Sequence, residues 1–243
     1  MLALVAALAL AAPPANVPFD YQIGAPYDPP AGVGVVSRDW FAAEPAPGTY
    51  SICYVNAFQT QDDEAGVARP DERLAWPPHL VLTGLGDDPE WGGEYLIDIR
   101  SAAQRRRAAD WVQPMIETCA RKGYDAVEYD NLDSFSRSHR LITRRQGIAF
   151  AKLLAGRAHD AGLPAGQKNF AEWDGSHVFD FAVAEECARW RECDRYQASY
   201  GRHVLAIEYR REDFRRTCNG YDDQWPVVLR NLNLTPGGVH DWC

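Results

Sequence analysis

Short apolar runs recur along the chain and alternate with stretches of a different period. In order they are FDYQIG (19–24), VGVVS (33–37), YSICYVNAF (50–58), YDAVEYD (124–130), PAGQKN (164–169), FDFAVAEE (179–186), HVLAIEY (203–209) and PVVLRN (226–231). Runs of this length, bounded by Gly, Pro and polar residues, read as strands. Between them, residues 101–121 bring Trp111, Val112, Met115 and Ile116 to one side, and residues 143–161 bring Ile148, Leu153 and Leu154 to one face, as helices do. Thr143 is placed to cap the second helix and Gly162 to stop it. Eight strands, each followed by a helix or crossover, predict an α/β fold, a single-domain (β/α)8 TIM-type barrel; an open parallel sheet of about seven strands is the rival. A ninth run, GEYLIDI (93–99), falls inside the excursion 59–100 between the third and fourth strands, and the length of that excursion marks it as a functional loop.

The first fifteen residues, MLALVAALALAAPPA, are apolar but too short to cross a bilayer, and Ala9 and Ala11 stand in an Ala-x-Ala arrangement before a Pro pair. They read as a signal peptide on a secreted protein, which leaves 16–243 as the barrel domain. No Lys or Arg precedes the run, so a buried first strand or a lipid-facing anchor stands as the alternative. Export agrees with six cysteines that form no CxxC pair and have no His at zinc-ligand spacing, a pattern of disulfides. Five intervening residues, ARWRE, let Cys187 and Cys193 close a small loop, and Cys218 pairs with the terminal Cys243. Cys53 and Cys119 are then either a third pair or separate buried thiols. The formal net charge of −9 argues against nucleic acid and anionic membrane surfaces as partners. A monomer that meets a neutral or cationic substrate is expected.

The C-terminal ends of barrel strands form the active face, so what the runs end on matters. Asn56 closes the third, Asp130 and Asn131 the fourth, Lys168 and Asn169 the fifth, Glu185 and Glu186 the sixth, Glu208 and Tyr209 the seventh, and Arg230 and Asn231 the eighth. Within GYDAVEYDNLDSF (123–135), strand alternation puts Glu128 and Asp130 on the inner face, Asp125 at the strand's start and Asp133 in the loop beyond. Two carboxylates facing a polar cleft suffice to cleave a glycosidic bond: one protonates the leaving oxygen and the other attacks or activates water. The chain has no GxSxG elbow, no GxxxxGK[ST] or GxGxxG after a strand, and no HExxH, so acyl-transfer, nucleotide and zinc chemistry lack support. A magnesium or calcium site built from Asp130, Asp133 and Glu185 is the metal alternative to a metal-free site.

The stretches ICYVNAFQTQ (52–61), WGGEYLIDIR (91–100), KGYDAVEYDNLDSF (122–135), AHDAGLPAGQKN (158–169), FDFAVAEECARWRECDRY (179–196) and VLAIEY (204–209) together resemble glycoside hydrolase family 114. This is an endo-α-1,4-polygalactosaminidase-like family, and the resemblance runs from about residue 19 to residue 231. It implies a secreted or surface TIM-type barrel that hydrolyses α-1,4-linked galactosamine polymers without a cofactor. By position it implies Asp130 and Glu185 as the catalytic carboxylates, and Cys187 with Cys193 as a disulfide beside them. Glu128, Asn131, Asp133, Lys168, Asn169, Glu208 and Tyr209 would line the sugar cleft along with Asn56, and Trp91, Glu94, Asp98 and Arg100 would form its excursion wall. Two departures stand out: Phe and Tyr occupy the first strand where the family often shows Trp, and Tyr129 replaces the Pro common between Glu128 and Asp130. Deacetylated galactosamine polymers are polycations, which an acidic cleft would attract. The rival from another class is a barrel that binds polysaccharide without cutting it.

Overall fold

The computed structural model describes residues 10–41, 43–61, 76–89 and 91–243. Each of the eight expected runs coincides with a strand, the second strand running two residues past its run: β1 (Phe19–Tyr21), β2 (Val35–Asp39), β3 (Tyr50–Asn56), β4 (Ala126–Asp130), β5 (Ala165–Lys168), β6 (Phe181–Glu185), β7 (Val204–Glu208) and β8 (Val227–Arg230). They pair in parallel, each with its sequence neighbours, in one curled sheet. The architecture is the expected TIM-type barrel. A ninth strand that the apolar pattern does not mark, β9 (His240–Trp242), runs antiparallel to β8. Side chains join the last strands to the first: Arg230 donates to Asp20 Oδ1 at 2.8 Å and to the Tyr21 carbonyl, and Trp242 Nε1 donates to Phe19 O at 2.7 Å.

Helices follow only some strands: α1 (Ala102–Lys122) after β3, α2 (Arg144–Asp160) after β4, α3 (Cys187–Trp190) and α4 (Cys193–Tyr200) after β6, and α5 (Arg211–Tyr221) after β7. The crossovers 22–34, 40–49 and 169–180 carry no helix among the described residues. They are short, and the first two are rich in Pro and Gly, so little chain remains for a helix once the return path is spanned. The two long helices begin where capping chemistry predicts. Ser101 Oγ accepts from Gln104 N at 3.1 Å. Thr143 and Gln146 form a reciprocal capping box, with Thr143 N–H donating to Gln146 Oε1 at 2.7 Å. Gly162 follows α2 with φ at 81°, left-handed backbone that glycine adopts without steric cost.

Alternation along the strands sorts the apolar side chains into two layers. Phe19, Tyr21, Val35, Ile52, Tyr54, Ala126, Phe181, Val183, Leu205, Ile207 and Val228 fill the barrel. Their strand neighbours, such as Val55, Val127, Tyr129, Ala182 and Ala206, meet the helices outside. Gly166 faces inward, where a Cβ would lie 2.6 Å from the Phe181 ring. Its bare backbone gives that ring the room to fill the waist. The run 93–99 joins no sheet strand; Leu96 and Ile97 make isolated antiparallel bridges with Gln59 and Val81, which folds the excursion onto the outer layer.

Three disulfides cross the structure: Cys187–Cys193, Cys218–Cys243 and Cys53–Cys119. The last ties β3 to α1 across 66 positions, and closing a loop of that length in the unfolded chain is worth about 4 kcal/mol. Residues 1–9 of the expected signal segment lie outside the described residues. Among the described residues no helix is long and apolar enough to cross a membrane.

One expected cleft residue is displaced by the alternation. Ile207 and Tyr209 face the barrel interior, so Glu208 between them faces outward, beneath α3 and α5. It does not line the cleft. Its Oε1 accepts from Ala188 N at 3.1 Å and from Thr217 Oγ1 at 2.7 Å, and burial nonetheless pushes the carboxyl up to about 7. An unfolded Glu titrates near ~4.3, so the folded state holds this proton more tightly. The stabilisation it contributes is complete below that value and is lost as pH rises through about 7. In Glu208→Gln the fall in urea midpoint between about pH 5 and about pH 8 is expected to be shallower than in wild type. An unchanged slope would mean that the folded carboxyl is already ionised.

Candidate active site

β4, β5 and β6 each end immediately before a left-handed residue: Asn131 (φ 61°), Asn169 (φ 50°) and Glu186 (φ 52°). Asn tolerates this backbone better than most residues, whereas Glu adopts it only under constraint. In each case the chain turns away after its last strand residue, and Asp130, Lys168 and Glu185 are left together at the open end of the barrel.

Lys168 joins them. Its Nζ lies 3.3 Å from Asp130 Oδ2 and 3.2 Å from Glu185 Oε2, donates to Tyr21 Oη at 2.7 Å, and sits over the Tyr21 and Tyr54 rings. Asp130 accepts further bonds from Tyr54 Oη at 2.8 Å and from Asn131 N at 2.7 Å. Glu185 accepts from the Tyr209 hydroxyl and from Asn169 Nδ2 at 3.0 Å, while its own N–H donates to Asn169 Oδ1 at 2.9 Å. Both carboxylates are oriented from two sides.

The electrostatics follow from this crowding. Burial alone would discharge Lys168, but Asp130, Glu185 and Glu128 together outweigh it and hold the ammonium above its ordinary range. Burial likewise pushes Asp130 up, and Lys168, the Tyr54 hydroxyl and the Asn131 N–H overcome that, so the carboxyl stays below the usual carboxylate range. Burial and the nearby carboxylates raise Tyr21, Tyr54 and Tyr209, which therefore remain protonated. A magnesium or calcium ion shared by Asp130, Asp133 and Glu185 does not fit: Lys168 already stands between two of them, and Asp133 pairs with Arg137 at 3.2 Å. Among the described residues Cys187, Cys193 and Glu208 also approach one another at metal-ligand spacing, but both sulfurs are committed to a disulfide.

The other expected residues fall into three groups. Asn56, Asn131, Asn169 and Tyr209 hold the cluster or its rim: Asn131 Nδ2 donates to Asn56 Oδ1 at 3.0 Å. Glu94 and Trp91 belong to the excursion near that rim, Glu94 accepting from Gln59 Nε2 at 2.8 Å and Trp91 standing 48% exposed. Three others do not line a cleft. Glu128 shares the inner face with Asp130 but lies one step deeper, fully buried, accepting from Ser37 Oγ at 2.7 Å with its other oxygen unpartnered. Burial pushes it up to about 7, against the pull of Lys168 and Ser37. Asp98 and Arg100 are spent on each other in a two-point ion pair at 2.9 Å, beside the start of α1.

Several contributors carry no signal in the strand ends. Tyr54 and Tyr21 are inward-facing by the same alternation that selects Asp130, and counting back two from Asn56 would have found Tyr54. Asp39, at the end of β2, accepts from Gln61 Nε2 at 2.9 Å; it lies two residues past the apolar run VGVVS (33–37), which therefore does not mark it. Arg137 bonds nearby Asn131 and Asp133, but its partners Asp88 and Gln59 lie 49 and 78 positions away, beyond any spacing rule. A cavity of about 670 Å³ opens beside Arg137, between Pro89 and the segment Phe135–Thr143, and none of its lining residues is Asp130, Lys168 or Glu185.

No curated protein shows significant sequence similarity to the chain. The fold is shared with the crystal structure of Aspergillus fumigatus Ega3 in complex with galactosamine, at 23% identity and a TM-score of 0.76 over 95% of this chain and 96% of that one. It is also shared with the glycoside hydrolase domain of PelA from Pseudomonas aeruginosa, at 17% identity and a TM-score of 0.56 over 93% and 98%. The family model for glycoside hydrolases of family GH114 matches residues 2–243, and the chain belongs to that family.

Proposed function

We propose that the protein is a secreted glycosidase that cleaves α-1,4-linked galactosamine-type polysaccharide with Asp130 and Glu185. The observation that carries this reading is the pair of carboxylates bridged by one buried ammonium at the open end of the barrel. Asp130, the carboxylate held below the usual range, stays ionised and attacks the anomeric carbon. Glu185 is the acid/base partner: a proton on its carboxyl passes to the departing oxygen, and the carboxylate then takes one from the water that releases the sugar. Since Lys168 Nζ is 3.3 Å from one carboxylate oxygen and 3.2 Å from the other, those oxygens are at most about 6.5 Å apart. Retaining enzymes hold their carboxyl groups ~5–5.5 Å apart and inverting ones ~6.5–9.5 Å, so this limit supports retention.

The substrate class rests on two supports. The structural neighbour Ega3 was crystallised with galactosamine, and this chain carries a net charge of −9, which attracts a polyamine. Three disulfides support an oxidising compartment, as the apolar leader does.

Asp130→Asn and Glu185→Gln are each expected to lower kcat/KM on galactosamine oligomers by at least about 1,000-fold, with urea midpoints showing that both variants fold. Near-wild-type turnover in either would strip that residue of its role, and wild-type binding without shorter products would make the barrel a binding module. Proton NMR of the first product should show the α anomer before mutarotation; a β product would establish inversion. Raising salt from about 20 mM to about 300 mM should depress kcat/KM on deacetylated polymer far more than on acetylated polymer. Equal sensitivity would remove charge from the account of substrate choice.

A further inference from the structure

Arg137 lies just beyond the 3-10 turn Ser134–Ser136 that follows β4, and its guanidinium engages through all three nitrogens. Nε donates to Asp88 Oδ2 at 2.9 Å and Nη1 to Asp133 Oδ1 at 3.2 Å, while Nη2 donates to Gln59 Oε1 at 3.1 Å and to Asn131 Oδ1 at 2.7 Å. Gln59 and Asp88 belong to the excursion; Asn131 and Asp133 belong to the loop after β4. One planar cation thus pins together the two segments that flank the cluster, a task its fork suits and a Lys point charge does not.

Asn131 relays the effect. Its side chain is held at both ends, the Oδ1 by Arg137 and the Nδ2 by Asn56 Oδ1, while its backbone sits at φ 61° and its N–H donates to Asp130 Oδ1 at 2.7 Å. A left-handed non-glycine residue persists where its surroundings over-determine it, and here the surroundings are the two side-chain anchors. We infer that Arg137 is a positioning residue for Asp130: through Asn131 it fixes the backbone N–H that aims the Asp130 carboxylate. This rests on the proposed role of Asp130 as the attacking group. The other groups that face Asp130 are Tyr54 from β3, Lys168 from β5, Glu185 from β6, Tyr209 after β7 and Glu128 from its own strand, with Tyr21 of β1 reaching it through Lys168. None of these is bonded to Arg137, so replacing it alters one contact of the carboxylate and leaves the others.

The test compares wild type with Arg137→Met and Arg137→Lys, by kcat and KM on galactosamine oligomers across pH, by urea midpoint, and by crystal structure. In both variants kcat is expected to fall by about 10- to 100-fold with little change in KM, because the reacting group is misaimed rather than the sugar unbound. The acid limb of kcat/KM should move to higher pH, since the carboxylate has lost a donor that favoured its charged form. In the crystals Asn131 should leave the left-handed region and its N–H should no longer reach Asp130. The Lys variant keeps a cation between Asp88 and Asp133, so it serves if Met prevents folding. An unmoved acid limb with Asn131 unchanged, or full recovery by Lys, would overturn the inference, the latter by showing that charge alone is needed. Should wild type fail to hydrolyse any galactosamine oligomer, the assigned reaction falls, and the conformation of Asn131 in the variant crystals still decides whether Arg137 holds it.

Discussion

An ammonium group with 1% of its side chain exposed stays charged only if anions and dipoles replace the water it has lost. Lys168 has Asp130 and Glu185 within 3.3 Å, the Tyr21 hydroxyl at 2.7 Å, two aromatic faces and the deeper Glu128. The dependence runs both ways. Two ionised carboxylates repel each other strongly at this spacing unless a cation stands between them, and without them burial would discharge the cation. That mutual requirement explains why the three strand ends are built so alike, each finishing on a charged side chain and then turning sharply through a left-handed residue.

The layers beneath serve this cluster. Gly166 admits the Phe181 ring, which fills the barrel under Lys168 and keeps the surroundings apolar. In such a medium each hydrogen bond to Asp130 or Glu185 counts for more than it would in water. The tyrosines beside the carboxylates supply hydroxyl donors on rigid rings, which orient the acceptor oxygens. Around the rim the logic changes from packing to polar ties. Arg137 binds the excursion to the loop after β4, so a long loop is seated by directed hydrogen bonds beside the charged cluster.

Membership of family GH114, together with a fold shared with Ega3 and the PelA glycosidase domain, places this cluster on a known scaffold. The departures from the common family pattern find a physical place here. Tyr21 of the first strand contributes the hydroxyl that accepts from Lys168, and Tyr129, between Glu128 and Asp130, faces outward and donates to Leu154 O at 3.1 Å on α2. One departure therefore touches the charged cluster and the other only the packing of a helix.

Much of this was legible in the sequence because it rests on local periodicity. Eight apolar runs, two capped helices and the polar groups at strand ends follow from the spacing of side chains along one stretch of chain, and so do the strand ends that bear Asp130, Lys168 and Glu185. Spacing also held the means to see that Glu208 faces outward and that Tyr54 faces inward, since period-two alternation decides both. What it could not supply is depth and partnership. Glu128 and Asp130 share a face, yet only the curled sheet makes one of them a fully buried carboxyl and leaves the other at the rim. Asp98 and Arg100 become a closed pair, and Arg137 finds Asp88 from 49 positions away, because such contacts depend on how separate segments meet in space. The sequence by itself determined which side chains reach the open end of the barrel; the tertiary structure alone decided which of them share a charge, because electrostatic pairing depends on distance through space and on burial, and neither is a property of the chain read in one dimension.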